Sequence, residues 1–290
     1  IMAAEAAAES GEAFYYDTED ASNFYMELWG GDHLHVGIYD DSSSASPETV
    51  AVASDKALTT LLDMCAPAFK DKPSGGKAMD MGAAYGGAAR ALAKKYSSQV
   101  VCIELSKKEN EINVQRNAEQ GLQDQVTVPG ELSFDATQQD AATFDCVISE
   151  DSILHAGKGR ADVVKEAARV LRKGGLFVFS DLMQQDGVDV TQLAAVYARI
   201  GLEDMGSPAS YIQWAAAAGM RVKCYIDHSE QIGRHYGTLK AMLEDDKIRA
   251  RLKGKVSDKY VEAMKVGLEA WIQGSAAGNL AWGFFVFEKI

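Results

Sequence analysis

The stretch Asp80-Met-Gly82-Ala-Ala84-Tyr-Gly86-Gly87 follows a short apolar run and opens a segment of helical spacing. Glycines at such a turn let the backbone approach a ligand closely and bend without a Cβ clash. Glu104 ends the next apolar run, 22 residues beyond Gly82. That spacing suits a carboxylate accepting both hydrogens of a ribose diol. The glycines alone would also make a tight strand–helix turn with no ligand; the acid at this distance favours a nucleoside-bearing ligand. A dinucleotide site would favour G-x-G-x-x-G, with a pyrophosphate on the helix N-terminus. Here the turn reads G-x-A-x-G-G. Residues 14–40 are dense in aromatic side chains, with Phe14, Tyr15, Tyr16, Phe24, Tyr25, Trp29 and Tyr39. Aromatic faces attract organic cations, the bland alternative being packing on a core. His33, His228 and His235 are scattered without metal-ligand spacing, so no metal is assigned.

These groups need elements to hold them. Apolar runs predict strands at 78–81, 100–104, 126–128, 144–149, 176–180, 222–226 and 284–287. Helical spacing predicts helices at 47–66, 86–96, 107–120, 161–171 and 210–218, then two long ones at 229–253 and 257–273. Ser46 and Pro47 give the first a start signal, and Gly121 and Lys173-Gly174-Gly175 are read as helix stops. Residues 14–40 resemble neither a strand nor a clean amphipathic helix. Strand–helix alternation with near-continuous apolar strands argues for a parallel sheet covered on both faces. The expected division is a disordered tail at 1–13, an N-terminal substrate lid at 14–67 and a core at 68–290, with a helical insertion near 229–275.

Composition narrows the partners. Twenty-nine Lys and Arg against 42 Asp and Glu leave a formal charge of −13, which disfavours nucleic acid. Cys65, Cys102, Cys146 and Cys224 are too far apart for a C-x-x-C pair and suit a reducing, cytoplasmic compartment, with Cys102 and Cys146 read as buried. The apolar runs fall short of a membrane span. A monomer and a homodimer are equally compatible with the chain.

Four stretches carry a family resemblance. The Asp80–Gly87 turn resembles the first motif of class I S-adenosylmethionine-dependent methyltransferases, with Ala84 where the middle glycine is usual. Glu104 matches the acid that follows it. Phe144-Asp145-Cys146-Val147-Ile148-Ser149-Glu150 resembles that family's fourth strand, and Ala168–Leu176 its run before strand five. The resemblance implies an α/β, Rossmann-like fold with a seven-stranded, mostly parallel sheet, an N-terminal helical lid and a helical insertion before the last strand. It implies S-adenosylmethionine as cofactor, with S-adenosylhomocysteine as product. Asp80, Gly82, Ala84, Gly86, Glu104, Leu105, Ser133, Phe134 and Glu150 are the cofactor-binding residues it implies.

Further stretches narrow the family. Ser149–His155 resembles the segment after strand four in small-molecule amine N-methyltransferases. Trp29–Tyr39, Arg199–Ser207 and Trp271…Gly278-Asn-Leu-Ala-Trp282-Gly283 resemble sarcosine/dimethylglycine N-methyltransferases of betaine synthesis. By that resemblance His155 accepts the amine proton, Asp151 orients it or attracts the ammonium, and Tyr16 is the lid tyrosine, with Tyr15 as its alternative. Tyr25 and Trp29 face the cation. Arg199 and His35 take the carboxylate of a small zwitterionic amine. The bland readings are a structural histidine at His155 and a surface ion pair at Arg199. The expected activity is methylation of glycine, sarcosine or dimethylglycine towards glycine betaine. The nearest rival is phosphoethanolamine methylation. A nicotinamide dehydrogenase and a non-catalytic interaction protein are remoter.

Overall fold

The computed structural model describes residues 18–29, 33–40, 44–72 and 75–290. They form two compact units. The first comprises 18–57, 183–205 and 228–281, and the second 58–182, 206–227 and 282–290.

The second unit is built on the sheet. Its strands are β1 (Lys77–Met81), β2 (Gln99–Ile103), β3 (Val126–Thr127), β4 (Phe144–Glu150), β5 (Leu171–Gln184), β6 (Met220–Asp227) and β7 (Leu280–Lys289). Their order is β3-β2-β1-β4-β5-β7-β6. The pairings β2–β3, β1–β2, β1–β4 and β4–β5 are parallel, and β6–β7 is antiparallel. Successive strands step outward from β1 in one direction and then, from β4, in the other. The reversal between β1 and β4 is where open α/β sheets bind ligands, at the carboxyl ends of the strands. The central strands are largely apolar because both faces are covered there: Met79, Cys102, Cys146, Val147, Ile148, Phe177 and Val178 are all fully buried, whereas the edge strand β6 is mostly exposed or half-buried.

Here α1 is Glu19–Leu28, α2 Pro47–Phe69, α3 Gly87–Tyr96, α4 Lys107–Glu119 and α5 Arg160–Val170. They are followed by α6 (Ala194–Ile200), α7 (Pro208–Ala217), α8 (Glu230–Glu244), α9 (Asp246–Leu252) and α10 (Asp258–Ala276).

Three expectations change. First, part of the aromatic segment is a helix, α1. Thr18 Oγ1 caps it by accepting the Ala21 N–H at 3.1 Å. Its apolar face, Ala21, Phe24, Tyr25 and Leu28, keeps helical spacing. Second, the 229–253 segment is two helices, because Asp245 leaves α8 in an extended conformation and caps α9. Its Oδ1 accepts the N–H groups of Lys247 and Ile248 at 2.9 and 3.1 Å. Third, α5 ends at Val170, and Lys173-Gly174-Gly175 lies inside β5. Between Phe144 and Cys146 of β4 the pairing jumps from Leu171 to Leu176, so the glycines serve a bulge.

In the first unit α1 is tied down by polar bonds. Glu27 pairs with Arg251 at 2.9 Å and with Lys255, Asp20 accepts from the Ser257 N–H at 2.9 Å, and Asn23 donates to the Lys255 carbonyl at 2.9 Å.

Candidate active site

The turn after β1 is held from below by β2. The N–H groups of Gly82 and Ala83 both donate to the Ile103 carbonyl, at 2.9 and 3.1 Å. Glu104 leaves β2 beside this turn and uses both carboxylate oxygens: Oε2 accepts the Ala84 N–H at 3.1 Å and Oε1 the Ser106 N–H at 2.9 Å. Ser106 then caps α4 through the Glu109 N–H at 3.2 Å. The Leu132 N–H donates to the Glu104 carbonyl at 3.0 Å, which brings the 131–134 segment to the same strand end. Ser133 Oγ donates to the Asp135 carboxylate. Leu105 stands 58% exposed, an apolar side chain free to lie against a ligand.

Two glycines of the turn have a packing reason of their own. Gly82 has φ +76°, and a Cβ there would lie 2.4 Å from Ser152 Cβ and 3.8 Å from Phe134 Cδ1. Gly86 has φ +76°, and its Cβ would meet Asn113 Oδ1 at 2.0 Å. Asn113 belongs to a buried polar face of α4, where Arg90 donates to Tyr85 O, Asn113 Oδ1 and Asn117 Oδ1 at 2.8, 3.3 and 3.1 Å. No local sequence signal pointed to that network. Ala84 sits at φ +42°, in the region that favours glycine, where the family's usual residue would be unstrained.

Asp80 is 2% exposed, and its Oδ2 has no hydrogen-bond partner among the described residues. Burial, then the Glu150 charge and more weakly that of Glu104, push its carboxyl up to about 8. Three carboxylates thus gather at the ends of β1, β2 and β4. Such a group repels itself unless a cation joins it. S-adenosylmethionine has a ribose diol for Glu104 and carries positive charge at its sulfonium and amino group, so the residues present fit it.

Beyond β4, Asp151 adopts φ +47°. Its N–H donates to the Ser180 carbonyl at 3.0 Å, and its Oδ1 accepts Ser180 Oγ and Trp282 Nε1, both at 2.8 Å. Ser152 Oγ donates to Gly82 O at 3.2 Å and Glu150 O at 2.9 Å, fastening this segment to the glycine turn. His155 follows in a short 3-10 stretch, Ile153–Gly159, and its N–H donates to Ser152 O at 3.1 Å. Ser180 and Trp282, which hold Asp151, are residues to which sequence reasoning gave no role at the site.

The first unit contains an aromatic cluster. Tyr25 and Trp29 lie 4.7 Å apart, and Trp29 lies 5.4 Å from His235. Trp29 Nε1 donates to the His35 carbonyl at 3.3 Å, and His35 is itself buried. Tyr39 Oη and His235 Nδ1 hydrogen-bond at 2.8 Å. Burial, with smaller electrostatic contributions from neighbouring His35 and Arg199, pushes the His235 pKa down to about 3, so the imidazole is neutral at pH 7. Arg199, on α6, is 5% exposed. Its guanidinium lies 5.6 Å from the Tyr236 ring centroid, and Tyr236 stacks on Trp271 at 4.9 Å. Gly267 lets the arginine stem lie on α10, since a Cβ there would come 2.4 Å from Arg199 Cδ. Sequence reasoning names His235 only to exclude it as a metal ligand and gives Tyr236 no role. Tyr16 lies outside the described residues.

The strand order, the glycine turn and the acid at the end of β2 define a class I S-adenosylmethionine-dependent methyltransferase. Residues 79–179 match the methyltransferase domain family accordingly. The chain is 39% identical over 285 residues to the dimethylglycine N-methyltransferase of Parasynechococcus marenigrum, covering 98% of this chain and 97% of that one. It is 40% identical over 275 residues to the sarcosine/dimethylglycine N-methyltransferase of Halorhodospira halochloris, covering 95% and 94%. A crystal structure of a candidate sarcosine dimethylglycine methyltransferase from Galdieria sulphuraria superposes with a TM-score of 0.86 at 32% identity, over 95% of this chain and 98% of that one. The chain belongs to the sarcosine/dimethylglycine N-methyltransferase family.

Proposed function

We propose that the protein methylates the nitrogen of glycine, sarcosine or dimethylglycine towards glycine betaine. The observation that carries the substrate class is Arg199, a buried guanidinium stacked on Tyr236 beside a cluster of neutral aromatic groups. A planar bidentate donor suits a carboxylate, and aromatic faces suit the ammonium at the other end of such an amine.

When bound, S-adenosylmethionine supplies an electrophilic methyl group on a sulfonium. Glu104 holds the ribose diol, with Leu105, Ser133 and Phe134 beside the adenine. Asp80 and Glu150 answer the positive charge of the methionine end, and Gly82, Ala84 and Gly86 shape the turn it follows. Recognition of the amine falls to Arg199 and His35 for the carboxylate, and to Tyr16, Tyr25 and Trp29 for the cation. The 14–67 segment acts as the substrate lid.

The amine must present a lone pair. An aliphatic amine with a pKa near ~10.4 is protonated at pH 7, and freeing it costs about 4.6 kcal/mol. Exclusion of water lowers that cost, and His155 takes the proton. Asp151, fixed by Ser180 and Trp282, supplies negative charge to the ammonium. We place the enzyme in the cytoplasm, whose reducing conditions suit the free thiols of Cys65, Cys102, Cys146 and Cys224.

Initial rates for Arg199→Ala test the assignment. The variant raises KM for dimethylglycine by about 10-fold or more and leaves KM for the cofactor near wild type, as loss of a charged hydrogen-bond pair requires. An equal change in both constants would remove Arg199 from amine recognition.

A further inference from the structure

Asp181 is fully buried on β5, next in sequence to the Ser180 that grips Asp151. Its Oδ1 accepts the Leu154 N–H at 3.3 Å, and the Tyr211 hydroxyl donates to its Oδ2. Arg160 closes the same turn from the other side, its Nε donating to the Leu154 carbonyl at 3.2 Å. Two consecutive residues of β5 therefore hold the segment that ends in His155, Ser180 at Asp151 and Asp181 at Leu154. The bond from Asp181 fixes the Ile153–Leu154 peptide, and the bond from Arg160 fixes the Leu154–His155 peptide that follows it.

Tyr211 is built to stay where it is. It sits on α7, whose start is fixed by a reciprocal cap between Ser207 and Ser210 at 2.7 and 3.3 Å. Gly206 leaves room for its ring, since a Cβ there would lie 2.7 Å from Tyr211 Cε2. The ring packs 5.2 Å from Phe179 and 5.8 Å from Phe285, so the hydroxyl has a defined direction. Buried carboxylates are expensive without donors, and nothing in cofactor binding or amine recognition uses this one. Its carboxyl is pushed up to about 8 by burial, against the hydrogen bond from Tyr211 and the nearby Arg160 charge.

We infer that Asp181, oriented by the Tyr211 hydroxyl, is a positioning residue that sets the His155 imidazole through the Leu154 peptide. The inference rests on the proton-accepting role of His155 proposed above. It extends the machinery for the reaction to a carboxylate and a phenol that touch neither substrate nor cofactor. Holding a general base within hydrogen-bond reach is worth part of its ~10²–10⁴-fold effect, and loosening it forfeits that part.

The test is a double-mutant cycle with Tyr211→Phe and His155→Ala, read as kcat for dimethylglycine and as affinity for S-adenosylhomocysteine. Tyr211→Phe lowers kcat by about 10-fold and leaves the affinity unchanged. In the His155→Ala background the same substitution changes kcat by less than about 2-fold, because the group it positions is gone. Asp181→Asn, which keeps an acceptor for Leu154, retains more kcat than Asp181→Leu. Full additivity in the cycle overturns the inference while leaving His155 as the base. A parallel fall in kcat and in S-adenosylhomocysteine affinity also overturns it, since that marks general disruption. If His155→Ala alone leaves kcat unchanged, the proton-accepting reading itself fails, and the inference with it.

Discussion

The Ala84 backbone N–H donates to Glu104 Oε2 at 3.1 Å, so the glycine turn after β1 and the acid after β2 form one element. Glu104 thereby fixes the turn, and in the proposed function it would also hold the cofactor's ribose. Glu104→Ala is expected to weaken S-adenosylhomocysteine binding by about 1.5–3 kcal/mol, the range for hydrogen bonds to a charged group. Isothermal titration measures it directly. Affinity equal to wild type would place the ribose elsewhere.

Gly82 and Ser152 meet where a side chain on the glycine would stand 2.4 Å from Ser152 Cβ. Gly82→Ala is expected to reduce cofactor affinity and thermal stability together. Adding Ser152→Gly removes the obstructing atoms and is expected to restore part of both losses. Restoration stays incomplete because φ +76° still disfavours alanine. Thermal melts of the single and double variants with and without S-adenosylhomocysteine decide it; no rescue at all would mean that backbone strain alone sets the effect.

Asp80 couples the cofactor to protons. Its carboxyl is raised to about 8, so it is largely protonated at pH 7 in the free protein. A cationic ligand favours the ionised form, and binding at pH 7 should release up to ~1 proton, with affinity rising as pH goes from about 6 to 8. Because the folded pKa lies above the unfolded one, the folded state binds the extra proton between about 4 and 8, and Asp80 makes the free protein less stable as pH rises through that window. Calorimetry in buffers of different ionisation enthalpy reads the proton release. Asp80→Asn should abolish it.

His235 acts in the opposite sense on stability. Its folded pKa is lowered to about 3, below the ordinary histidine value. The unfolded chain therefore binds the extra proton between about 3 and 6.5, and stability is lost as pH falls through that range. Urea unfolding at pH 7 and pH 5 should show His235→Gln losing less stability on acidification than wild type, by on the order of 1–2 kcal/mol. Equal losses would mean that this imidazole titrates normally.

The sheet and the cofactor turn were legible because each rests on local pattern. Cys102 and Ile148 lie in unbroken apolar runs, and Asp80, Gly82 and Glu104 have fixed spacing across one strand–helix–strand unit. What was missed rests on contacts that the local pattern does not carry. Tyr211 reaches Asp181 across 30 positions, and Tyr39 reaches His235 across 196. The residue pattern alone does not mark helix α1, although the family resemblance implies a helical N-terminal lid, because half of its buried face is aromatic and also suits a binding surface. The bulge in β5 was read as a helix stop because glycines after a helical run signal one, whereas the pairing of β4 with Leu171 carries the chain into the strand at once.

The identity of the methyl acceptor decides the function. Purified protein with methyl-labelled S-adenosylmethionine and an equimolar mixture of glycine, sarcosine, dimethylglycine and phosphoethanolamine tests it in one reaction. Label is expected in the methylated glycines, ending in glycine betaine, and none in methylated phosphoethanolamine. Label confined to the phosphoethanolamine products, or absent from all four acceptors, would contradict it.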